Sequence, residues 1–85
     1  MPEVSRFLGI VIQMYYSEHG LPHFHAKYGG YRITVEIDSG VVKGTFPRRA
    51  LAAVLDWYVE HSDQLRDNWN RARNDQPLMR IRPLE

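Results

Sequence analysis

Apolar and polar residues alternate from His23 to Asp38, and after Pro47 the apolar residues recur at a helical period. Strict alternation marks a strand with one buried face, because side chains point to opposite sides of a sheet. The alternating stretch is interrupted once, at Gly29-Gly30. A Gly-Gly pair accepts the positive φ angles of a two-residue hairpin turn, so His23–Tyr28 and Tyr31–Asp38 are expected to pair as antiparallel strands. Tyr28 then faces Tyr31, Ala26 faces Ile33, Phe24 faces Val35, Lys27 faces Arg32, His25 faces Thr34 and His23 faces Glu36. One face carries Phe24, Ala26, Tyr28, Tyr31, Ile33 and Val35; the other carries His23, His25, Lys27, Arg32, Thr34 and Glu36.

Upstream, the β-branched and aromatic run Gly9–Tyr16 reads as a strand, with Val4–Phe7 a further short strand or a lead-in. Ser17-Glu18-His19-Gly20-Leu21-Pro22 reads as loop. Downstream, Ser39-Gly40 suggests a tight turn into Val41–Phe46, which would set Lys43 opposite Glu36 and Val42 opposite Ile37. Pro47 suits the first position of a helix running to about His61, where Leu51, Val54, Leu55 and Tyr58 fall on one face. Ala50, Ala53 and Trp57 widen that face and leave only a narrow polar stripe. Ser62 is a fitting N-cap for a second helix, with Leu65, Trp69 and Ala72 inward and an end near Asp75. Met79 and Ile81 alternate with Arg80 and Arg82, as in a short terminal strand.

These elements predict an α+β fold: an antiparallel β-meander of about four strands with two helices on one face and a short C-terminal strand. At 85 residues the chain is one domain, residues 1–85. A domain of this size buries roughly 60–65% of its unfolded surface and is only marginally stable. No run of about 18 apolar residues is present, so no membrane span is expected. The N-terminal stretch lacks a charged leader, apolar core and cleavage site, and there is no cysteine. Both fit a cytoplasmic protein. The net charge of +1 gives no general attraction to nucleic acid. Five arginines against three acids make residues 66–85 basic, which a solvated helix face explains more simply than a nucleic-acid patch.

The helices can cover only the apolar face of the sheet, so His23 and His25 are expected on an open front. A His-x-His pair on one strand points two imidazoles the same way, a common basis for zinc or nickel sites. His19 in the preceding loop and Glu36 across the hairpin would complete such a site. The same face suits metal-free acid–base chemistry, as in a ribonuclease-like toxin. There Lys27, Arg32 and Lys43 would hold a phosphate, and Tyr15 would lie within reach. A third reading is a surface without catalysis for a protein partner or a nucleic acid. The plainest is a solvated sheet face, with His23–Glu36 and Glu36–Lys43 as cross-strand pairs worth about 0.2–1 kcal/mol each. Trp57 and Trp69 read as core, and His61 as a partner of a helix C-terminus.

Ser5-Arg6-Phe7, Gly9-Ile10, Pro22-His23-Phe24-His25, Pro47-Arg48-Arg49-Ala50-Leu51 and Asn68-Trp69 together resemble the small bacterial domain-of-unknown-function family numbered 4160. The resemblance runs over nearly the whole chain. It implies no catalytic residue. Members of that family are typically encoded beside another small protein, an arrangement similar to toxin–antitoxin pairs, so the resemblance implies a partner protein. An apolar first helix and an open sheet edge point the same way, to a homodimer or a complex with a neighbouring gene product.

Overall fold

The computed structural model describes residues 2–85. Five strands form one antiparallel sheet in chain order: β1 (Glu3–Phe7), β2 (Ile10–Gln13), β3 (His23–Tyr28), β4 (Tyr31–Glu36) and β5 (Val42–Thr45). A single helix, α1 (Arg48–Arg73), follows. The class is the α+β meander expected, with Val4–Phe7 a strand in its own right.

The β3–β4 hairpin has the predicted register at all of its pairs, from Tyr28 opposite Tyr31 out to His23 opposite Glu36. The β4–β5 register differs. Val42 faces Val35 and Lys43 faces Thr34, two residues away from the pairing expected of a Ser39-Gly40 turn. The turn closes earlier: the Glu36 amide donates to the Val41 carbonyl at 2.9 Å and the Gly40 amide to the Glu36 carbonyl at 2.9 Å. Ser39 reinforces it, donating to the Glu36 carboxylate at 2.7 Å and accepting from the Val41 amide at 3.2 Å. A shift of two keeps every side chain on its expected face. It also brings Gly44 beside Ile33 with φ 107°, where a Cβ would overlap the carbonyl oxygen of Arg32.

Two helices were expected, and one is found. His61 leaves helical angles (φ −124°, ψ 18°), but the chain resumes the helix at once, so the element bends instead of ending. Neither glycine nor proline lies near the bend to force a break, and Ser62 does not begin a second helix. Both halves bury residues, Ala50, Val54 and Trp57 before the bend and Leu65, Trp69 and Ala72 after it. Trp57 is fully buried, its ring 5.4 Å from Phe7 and 5.7 Å from Phe24. Phe24, Ala26, Ile33 and Val35 are buried as expected, whereas Tyr28 and Tyr31, at the hairpin tip, are exposed.

The predicted C-terminal strand is absent. Residues 74–85 run irregularly beside β1, with one strand-like bond from the Ile81 amide to the Val4 carbonyl at 2.7 Å. Side chains of the helix take the other backbone groups. Asn68 donates to the Met79 carbonyl (2.8 Å) and accepts from the Met79 amide (2.9 Å). The Trp57 indole donates to the Arg82 carbonyl at 2.8 Å. Met79 and Arg82 thus give backbone groups to helix side chains that a strand would give to a ladder. Among the described residues no helix is long and apolar enough to cross a membrane.

Candidate metal centre

His23 and His25 occupy the first and third residues of β3, so their side chains leave the same face of the sheet. That face is not open at this end. The connection of residues 14–22 leaves the sheet after β2 and folds back over the histidines. Met14 is its inner anchor, buried and bonded through its amide to the Pro2 carbonyl at 3.1 Å. Tyr15 stands edge-on to His25, ring centres 4.7 Å apart, and donates to the Gln13 side chain at 3.0 Å. Tyr16 ties the connection to the chain after α1 by donating to the Gln76 carbonyl at 3.0 Å. Trp69 of α1 packs 5.2 Å from His23. The histidine side chains therefore keep only 17% and 25% of their exposure.

The connection also delivers Glu18. Its carboxylate makes a short hydrogen bond with Nε2 of His25 and lies 3.5 Å from Nε2 of His23. The other nitrogen of His23, Nδ1, lies 2.8 Å from the Leu21 carbonyl oxygen. A carbonyl oxygen only accepts, so the proton of neutral His23 sits on Nδ1 and the Nε2 lone pair faces Glu18. One donor atom from each of Glu18, His23 and His25 lies within 4.8 Å of the others. Three lone-pair donors this close repel one another unless a proton or a metal ion lies between them.

The other predicted site residues are not drawn into this cluster. His19 follows Glu18 in the loop but lies outside the convergent set. Glu36 stands opposite His23 in the backbone register, yet its carboxylate accepts from Ser39. Lys27 and Arg32 face each other nearer the hairpin tip. Tyr15 does reach the site, as a wall of the His25 ring. Glu18 is the residue the sequence reading missed. Its one sequence cue was an acid beside His19 in the loop leading to the His-x-His pair.

Two clefts flank the cluster. One, about 270 Å³, is lined by His19, Leu21, His23, Thr34, Glu36 and Lys43. The other, about 310 Å³, is lined by Tyr16, Ser17, Glu18, His19, Gly20 and Arg73. Glu18 borders one and His23 the other, with His19 between them.

The model of the family described as Domain of unknown function (DUF4160) matches residues 9–70 of the 85-residue chain. The chain belongs to that family. The DUF4160 match spans β2 to β5, the loop carrying Glu18, both histidines and most of α1, so every member of the cluster lies inside it. No curated protein and no solved structure matches the chain.

Proposed function

We propose that this DUF4160 protein binds one divalent transition metal ion, zinc or nickel, through Glu18, His23 and His25. The convergence of the three donor atoms within 4.8 Å carries the reading. Two imidazoles and a carboxylate form a donor set suited to zinc, nickel or iron. Tetrahedral ligands at about 2.0–2.1 Å from zinc lie about 3.4 Å apart; the Glu18–His23 pair already has that spacing, and side-chain rotations would open the Glu18–His25 pair to admit the ion. The Leu21 carbonyl on His23 is the outer partner that ligating histidines usually have. Three protein ligands leave a coordination position for water or substrate, as in catalytic zinc sites, and the adjacent cleft gives access to it.

Calorimetric titration of chelator-stripped, untagged protein with zinc and nickel chloride tests the reading. One equivalent of at least one metal is expected to bind, and Glu18→Gln or His25→Ala to abolish it. A folded wild-type protein that gives no heat with either metal overturns the proposal and favours the metal-free acid–base reading, with a proton shared by Glu18 and His25.

A second proposal concerns assembly: a cytoplasmic partner-binding component of a toxin–antitoxin-like gene pair. The observation favouring it is the outer edge of β5, which ends the sheet and is largely exposed. A stable complex with the adjacent gene product, or a homodimer by light scattering, is the expected result.

A further inference from the structure

The β1–β2 turn places a leucine where a leucine gains nothing from folding. Leu8 has φ 53° and is followed by Gly9 at φ 77°, the left-handed pair of a two-residue hairpin turn. Asn, Asp or Gly is the usual residue at the first of these positions, because a larger side chain strains the backbone there. Leu8 is also 72% exposed. Asparagine would relieve the strain and remove apolar surface from water. The combination of a left-handed backbone and an exposed leucine is the observation that directs attention to this turn.

Leu8 stands at the mouth of a groove of about 480 Å³ between this turn and the start of α1. Ile10, Tyr28, Pro47 and Ala53 form its apolar walls. Among the described residues, its charged lining is Arg48 and Arg49. Neither makes an ion pair among the described residues. The first turn of α1 holds no acid and Pro47 supplies no side-chain cap, so the partial positive charge of the helix start adds to the two guanidinium groups. The groove thus joins apolar side chains to two arginines, with no negative group among the described residues that line it.

We infer that this groove docks a partner-protein segment that carries an apolar side chain flanked by carboxylates. The inference rests on the partner-binding reading, names its surface, and is independent of the metal centre. The apolar side chain would lie between Leu8 and Tyr28, and its acidic neighbours would meet Arg48 and Arg49. Partners of this kind pair a buried apolar anchor with a polar rim.

The test uses the whole protein and three synthetic peptides, Glu-Glu-Leu-Phe-Glu-Glu, Glu-Glu-Ser-Ser-Glu-Glu and Lys-Lys-Leu-Phe-Lys-Lys, followed by amide NMR shifts. The first peptide is expected to move Leu8, Gly9, Tyr28 and residues 48–53 while leaving His23 and His25 in place. Each control should bind at least tenfold more weakly. Leu8→Asn should weaken the first peptide at least tenfold while raising the melting temperature, a pair of effects that a merely structural leucine would not give. Arg48→Glu with Arg49→Glu should weaken it as much and reverse the preference towards the lysine peptide. Equal binding of the three peptides, shifts confined to other surfaces, or unchanged binding by Leu8→Asn overturns the proposal. Self-association lost in Leu8→Asn would assign the groove to a second copy and likewise overturn it. A tight complex with the adjacent gene product that is indifferent to Leu8→Asn leaves the partner reading standing and removes this groove from it.

Discussion

The carbonyl oxygen of Leu21 lies 2.8 Å from Nδ1 of His23 and so decides which nitrogen of that ring faces Glu18. Leu21 precedes Pro22, and a residue before proline is held extended. The Pro22 carbonyl in turn accepts from the Ile37 amide at 2.9 Å, which fixes the peptide on β4. The direction of the Leu21 carbonyl is thus set by the covalent restraint of one proline and one hydrogen bond.

From this follows a prediction about a residue that would never touch the metal. Pro22→Gly frees the Leu21 carbonyl to turn away, and loss of such an outer partner commonly costs 10–100-fold in metal affinity. About tenfold weaker zinc binding is expected by calorimetry, with the fold retained. His19→Ala should bind zinc as the wild type does, because His19 lies outside the convergent set. Loss of binding by His19→Ala, with Glu18→Gln unaffected, would return the ligand set to the one read from the sequence.

The contrast between Glu18 and His19 shows where the sequence was informative. The face shared by His23 and His25 followed from alternation, which is a local geometric rule. The pairing of Tyr28 with Tyr31 followed from the backbone freedom of Gly29-Gly30. Glu18 depends on how a nine-residue connection folds back over the sheet, and no period governs that path. The β4–β5 register depended on side-chain bonds of Ser39 that a turn motif does not encode. The tail was misread for a related reason. Alternation at Met79–Arg82 was real, and Ile81 is buried, but Asn68 takes both backbone groups of Met79 and only the Ile81 amide bonds β1.

Asn68 supports a sharper prediction on that account. It is fully buried, and both ends of its amide bond the Met79 backbone. Asn68→Ala leaves the part-buried N–H and C=O of Met79 without their side-chain partner and opens a cavity at a fully buried position, and an unmet buried polar group costs about 1–3 kcal/mol. A destabilisation of about 2–4 kcal/mol is expected in urea titrations. The Met79 and Ile81 amides should exchange with solvent much faster than those of β3. Asn68→Asp keeps the acceptor for the Met79 amide but sets a buried carboxylate against the Met79 carbonyl oxygen, and should be at least as destabilising as alanine at pH 7.

Val35 tests the core. It is fully buried, paired with Phe24 on one side and Val42 on the other. Val35→Asp places a carboxylate there without a partner, one of the few changes expected to exceed about 4 kcal/mol. A small domain near the low end of the usual range of about 5–15 kcal/mol would then be close to unfolding at 37 °C, with its melting temperature sharply lowered. Circular dichroism should show the loss directly, and a near wild-type melting curve would remove Val35 from the core.

Glu3 links the tail to β1 and gives the protein an acid-sensitive contact. Its carboxylate accepts from Arg6 at 2.8 Å and from Arg80 at 3.1 Å. The hydrogen bond from Arg6, then that from Arg80, holds its pKa down from an ordinary 4.5 to about 2. A carboxyl whose pKa is lowered by folding binds fewer protons in the native state than in the unfolded one. Its contribution is therefore fully present above the unfolded value of about 4.5 and is lost as the pH falls through about 2. Glu3→Gln should reduce stability at pH 6, and the gap between variant and wild type should close between pH 4.5 and pH 2. Because the contact is exposed to solvent, 0.5 M salt should narrow the same gap at pH 6. Urea titrations at pH 2, 4 and 6 measure all three effects. A gap that is constant across that range would mean that Glu3 acts through packing and not through its charge.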